Sequence, residues 1–182
     1  MINIRPETYC FWCICLLLLP LKLVVAWFVS VFLHELFHLA AIYLSGGFVG
    51  FIQIGITGVK MKTGPMTFGR ELLCAAAGPV GGVIFFLLLL RKIPILATFC
   101  LFHSIYNLIP LYPLDGGRVV HSLLGMISKS AQVDKRASIF DSCVSVLLLI
   151  TVLFAVIRFA LGPLPLVIVL ILIFRNKKEK CS

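Results

Sequence analysis

The sequence predicts an all-α polytopic membrane protein of about six transmembrane helices, with a short membrane-associated β-hairpin or loop near residues 48–63. Three observations lead there. Of the 182 residues, 61% are hydrophobic and only 13% charged, against about 25% charged in a soluble domain. The apolar residues are blocked into runs long enough to cross a bilayer. Basic residues gather in the breaks between those runs and in the C-terminal tail. The chain reads as one transmembrane domain over 1–182, with no room for an appended soluble domain and no internal repeat.

The first apolar run extends from Tyr9 to Leu44, too long for one span. It has no small-x-small cleavage site, so it reads as an uncleaved anchor rather than a signal peptide. Pro20 and Lys22 divide it, giving spans near 8–21 and 23–44. Residues 48–62 are rich in Gly, Ile and Val and partly alternate, which favours a β-hairpin. An exposed strand edge there would accept an extended peptide by strand addition; an ordinary loop is the alternative. Further spans follow near 71–90, 94–110, 137–158 and 163–174.

Orientation follows from charge. With a cytosolic N-terminus, only Lys22, Arg91, Lys92 and Arg158 of the 16 basic residues fall on the far side. The other 12 are cytosolic, as the positive-inside rule requires. Both termini are then cytosolic. The net charge of +9 thus reflects topology and the anionic bilayer surface, and nucleic acid is not an expected partner. Seven cysteines in apolar runs are not a disulfide framework. Cys10-x-x-Cys13 lacks a second pair and reads as small hydrophobic residues.

The polar cluster His34-Glu35-Leu36-Phe37-His38 interrupts the second span. An ionisable residue at mid-membrane costs roughly 2.5–3.5 kcal/mol on insertion scales, so the cluster needs a compensating role. Positions i and i+4 share a helix face, so His34 and His38 can reach one metal ion, with Glu35 near that face as a general base. Zinc in catalytic sites takes three protein ligands and a water, so one ligand must come from elsewhere. The chain has seven acidic residues. Glu7 and Glu179 are terminal, Asp134 and Asp141 neighbour the basic turn Lys135-Arg136, and Glu71 suits the start of a helix. Asp115 differs: it lies in Asn107-Leu-Ile-Pro-Leu-Tyr-Pro-Leu-Asp115-Gly-Gly-Arg118, where prolines break the helix and glycines permit tight turning. A helix cap is its alternative role.

His34-Glu35-x-x-His38, followed by Asn107-x-x-Pro and Pro-Leu-Asp115-Gly, resembles the site-2 protease family of intramembrane zinc metalloproteases. Ala75-Ala-Ala-Gly-Pro79 is similar to another family signature, and the wording around Asp115 is similar to the stage IV sporulation protein FB branch. The resemblance covers about residues 20–125. It implies one Zn²⁺ per chain held by His34, His38 and Asp115, with Glu35 activating water and Asn107 orienting substrate or steadying an oxyanion. It implies a membrane-embedded or membrane-tethered substrate, such as a transcription-factor precursor or an anti-sigma-type regulator. Regulatory membrane proteins would be further partners, and a bacterial cell membrane the location.

Phe37 stands where the family usually has Gly, and Gly82 where it often has Asn. A bulky ring at Phe37 would narrow a neighbouring contact or cover the site. His103, one turn before Asn107, reads as a polar cavity histidine or a partner of the ligands; His121 reads as solvated or interfacial. Three rival readings are a zinc protease with another third ligand, a degenerate homologue that binds and sequesters membrane proteins, and a transporter. A transporter would not need this spacing.

Overall fold

A computed structural model describes residues 2–4, 6–55, 58–127, 130–159 and 162–180. The chain forms two compact units, divided between Leu108 and Ile109. Among the described residues three helices are long and apolar enough to cross a membrane, which fits the helical membrane fold the composition predicts.

In the first unit α1 (Pro6–Leu18) and α2 (Leu21–Leu44) meet at Pro20, which precedes α2. Proline has no N–H to continue a helix but suits the start of one, so the break falls where the sequence places it. At 13 residues α1 is about 20 Å long, shorter than the roughly 30 Å hydrocarbon core. α2 has 24 residues, about 36 Å. It ends in a Schellman turn: Gly46, at φ +73°, donates to the Tyr43 carbonyl, and the Gly47 N–H donates to that of Ile42. The chain then enters β2 (Val49–Gly55) and β3 (Gly58–Thr63), an antiparallel hairpin with Ile52 opposite Met61 and Ile54 opposite Val59. Its two turn residues, 56 and 57, lie outside the described residues. A short β1 (Ile2–Ile4) adds to β2 in parallel, so β3 is an edge of the three-stranded sheet. Three residues are too few for β1 to carry a periodicity of its own.

α3 (Phe68–Leu89) and α4 (Pro94–Asn107) complete this unit and pack with α2. α3 is built to be approached closely. An added Cβ at Gly82 would collide with Ser104 Oγ and sit 3.0 Å from the Cys100 carbonyl oxygen, both on α4. At Gly81 it would collide with the Phe37 ring of α2. Gly78 and Gly82 are one turn apart, the small-xxx-small spacing by which membrane helices bring their backbones together.

Apart from Val24 and Ile42, α2 buries small and polar side chains, and it exposes many large apolar ones. Its inward stripe is Ala26, Ser30, His34, His38 and Ile42, at four-residue spacing. Val25, Val29, Phe32 and Leu36 face outward. That inversion of the soluble pattern suits a lipid surround. Several hydroxyls inside the helices bond back to a carbonyl about one turn earlier, as Ser30 does to Trp27 and Ser104 to Cys100.

The second unit contains α5 (Asp115–Ile127), α6 (Ser130–Phe159) and α7 (Leu164–Lys180). Leu111, Leu114 and Leu172 form its buried core, with Ile109, Val144 and Leu148 against them. α6 starts at Ser130, earlier than the apolar run expected from about 137, because the polar stretch 130–136 continues the same helix. Val146, Leu147, Ile150, Phe154 and Ile157 on α6 are exposed. Cys13 and Cys143 are exposed free thiols, and Cys74 and Cys100 are buried ones; Cys181 lies outside the described residues.

Candidate metal centre

The buried stripe of α2 carries both histidines inward, with His34 2% and His38 6% exposed. Their Nε2 atoms face each other at 3.1 Å. Two nitrogens each bound at about 2.0–2.1 Å to one tetrahedral ion would lie about 3.3 Å apart, so the pair is spaced for one shared ion. His38 Nδ1 lies 2.7 Å from the Cys74 carbonyl oxygen of α3. A carbonyl only accepts, so Nδ1 carries the hydrogen and Nε2 presents its lone pair. A carbonyl behind a ligating imidazole is the common device for fixing tautomer and ring plane.

Gly78 supplies the space. A Cβ there would collide with His38 Nε2, and would lie 2.6 Å from His38 Cε1 and 2.7 Å from His34 Nε2. The backbone of α3 therefore passes directly beside the point that both nitrogens face, and only glycine leaves it open. Facing ring nitrogens, a fixed His38 tautomer and a recess that one methyl would fill together fit a metal ion.

Glu35 follows His34 on α2 and is half-buried. Asn107 closes α4, its Nδ2 donating to the His103 carbonyl at 3.0 Å. One amide hydrogen is thereby committed to its own helix and the second is left for other use. The His103 ring stands against that of His34, with centroids 4.6 Å apart and planes at 89°. His34 thus lies against two rings, since His38 is 4.7 Å away at 80°.

Phe37 turns toward α3, where its ring lies over Gly81 and meets Phe85 edge-on at 5.8 Å. The glycine missing from the motif in α2 has in effect a counterpart in α3. An Asn at Gly82 would have no room beside Ser104.

Asp115 belongs to the second unit, where it is the first residue of α5 and is buried. Its Oδ1 lies 3.7 Å from Arg118 Nη1, an ion pair one turn along. The preceding loop is drawn over the helix start: a Cβ at Gly117 would collide with the backbone of Leu111 and Tyr112. Gly117 is a helical residue, so its role is room for backbone rather than freedom to turn. Asp141 of α6, 5% exposed, accepts a hydrogen bond from the Tyr112 N–H at 3.4 Å, a tie to this loop that the basic-turn reading did not contain. His121 pairs with Asp134 at 3.3 Å on an exposed surface. Glu71 lies in the first turn of α3, as its place before an apolar run suggests.

Cys74 and Gly78 are neighbours of the histidine pair that spacing alone did not single out, whereas His103 was already read as a cavity histidine or a partner of the ligands. Ala75-Ala-Ala-Gly-Pro79 was the available signal for Gly78, and Cys74 directly precedes it.

Residues 77–152 match the model of peptidase family M50, a segment that takes in Asn107 and Asp115. No curated protein is a significant sequence match. Among solved structures, the site-2 protease from Methanocaldococcus jannaschii matches with a TM-score of 0.72 and 22% identity, over 98% of this chain and 89% of that chain. At that identity the likeness is one of fold. The chain has the fold of a site-2 protease, and its residues 77–152 match peptidase family M50, in line with the site-2 protease resemblance of the motifs.

Proposed function

We propose that this protein is an intramembrane zinc metalloendopeptidase that hydrolyses a peptide bond in or near a transmembrane segment of a membrane-bound regulatory protein. The observation that carries the reading is the facing His34 and His38 nitrogens, 3.1 Å apart in a recess kept open by Gly78, on a helix long enough to span. His34, His38 and Asp115 are the proposed ligands. Zinc so held would supply Lewis acidity and bring the pKa of water to about 7.

The residues divide the remaining work. Glu35, next to His34 on the same helix, takes the proton from the attacking water and delivers it to the leaving amine. Asn107 offers its second amide hydrogen to the substrate carbonyl or the developing oxyanion. His38, locked by the Cys74 carbonyl, keeps its lone pair directed. The edge strand β3 offers unpaired backbone to an extended peptide, the recognition mode of strand addition.

The protein is further proposed to be multi-pass, with six spans and both termini cytosolic, on the distribution of its basic residues. Its substrate class, from the motif wording, is a sigma-factor precursor or an anti-sigma-type regulator of a sporulating bacterium. The ligand set is tested by zinc content in the purified, detergent-solubilised protein. One zinc per chain is expected for wild type and for Glu35→Gln, with loss in His34→Ala and Asp115→Asn. Full zinc content and cleavage in Asp115→Asn would overturn the third ligand.

A further inference from the structure

His38 and His34 are held differently. The plane of His38 is fixed by a short hydrogen bond to the Cys74 carbonyl. His34 is the more deeply buried, and one face of its surroundings is the His103 ring of α4, perpendicular to it at 4.6 Å. α4 is brought this close to the α2–α3 pair by Gly82, which admits Ser104, the residue following His103. Perpendicular packing of this kind restricts rotation about the bond that carries the imidazole, because turning His34 would drive its edge into the neighbouring ring.

We infer that His103 is a positioning residue for His34: its ring holds the His34 imidazole in the plane that turns Nε2 toward Nε2 of His38. The inference rests on the proposed metal centre and adds a helix to it, since α4 then takes part in setting the ligands. It also places Asn107 and the His34 support on one helix, because Asn107 Nδ2 bonds to the carbonyl of His103 itself. A shift of α4 would move both together.

The test compares His103→Ala, which removes the ring, with His103→Phe, which keeps a ring and removes both nitrogens. Zinc affinity is measured by competition with a chromophoric chelator, and geometry by the visible spectrum of the Co²⁺-substituted protein. Replacing a residue that supports a ligand costs about 10–100-fold in metal affinity. His103→Ala is expected to weaken zinc binding by about that factor and to alter the cobalt bands, while His103→Phe stays within about threefold of wild type. If His103→Ala does not fold, His103→Leu, of similar bulk but without a plane, takes its place with the same expectation. Wild-type affinity and spectrum in the ring-less variant would overturn the inference, as would equal losses in the Phe and ring-less variants. Failure of wild type itself to bind zinc would overturn the metal centre, and is distinguished by that control.

Discussion

Glu35 directly follows His34, about 100° round the helix, and lies less than a turn from His38. A carboxylate so placed shares the histidines' side of α2 without being obliged to bind what they bind. Glu35→Gln is therefore expected to retain zinc and lose about 10²–10⁴-fold in cleavage rate, read by zinc analysis and peptide cleavage on the same preparation. Gly78→Ala acts on the opposite wall. Its methyl occupies the point both nitrogens face, so zinc binding should be lost although every ligand remains. Helix propensity favours Ala over Gly by about 1 kcal/mol, which separates this from a simple helix defect; circular dichroism and chelator competition check the two parts. The histidine pair was legible in the sequence because i, i+4 spacing is a local property of one helix. Gly78 was legible only as part of a signature. His103 was legible as one alternative partner of the ligands, but its ring contact with His34 in particular was not, since it joins two helices whose separation depends on a third residue, Gly82.

At the level of elements, α3 works as a spacer made of absences. Gly81 receives Phe37, Gly82 receives Ser104, and Gly78 leaves the recess. Gly82→Ala would press a methyl against Ser104 and the Cys100 backbone, and Ser104 Oγ is already bonded to that carbonyl at 2.9 Å. Overpacking of this kind costs about 1–3 kcal/mol, expected as a lower unfolding midpoint in mixed micelles. In the second unit the loop before Asp115 is held by the Tyr112 N–H to Asp141 bond. Asp141→Ala leaves a donor without that partner, a loss of about 1–3 kcal/mol, and should speed hydrogen exchange across residues 109–114. Helix starts at Pro20 and Pro94 and the hairpin near 48–63 were readable from proline, glycine and alternation. The role of Asp141 was not. Next to Lys135-Arg136 in sequence it looks like a surface charge, and only the fold buries it beneath the loop.

For the whole molecule, a histidine pair about 20 Å along a helix of about 36 Å lies well inside a bilayer if α2 spans it. The arrangement of the basic residues then assigns sides. A single cysteine placed at Lys135, in a chain cleared of native thiols, is expected to react with an impermeant maleimide from the cytosolic face, and one at Lys92 from the opposite face. Labelling of both from one side would contradict the six-span orientation. Fold class was legible from composition alone, because an apolar fraction of 61% in long blocks admits few alternatives. Substrate identity is a property of complementary surfaces and leaves no such mark in one chain.

The most direct test of the central claim is cleavage of a panel of transmembrane peptides by the purified protein in zinc-containing liposomes, wild type beside Glu35→Gln. A product that appears with wild type and is absent with Glu35→Gln is the expected result. No product from any peptide, or equal product from both proteins, would contradict an intramembrane peptidase built on His34, Glu35 and His38.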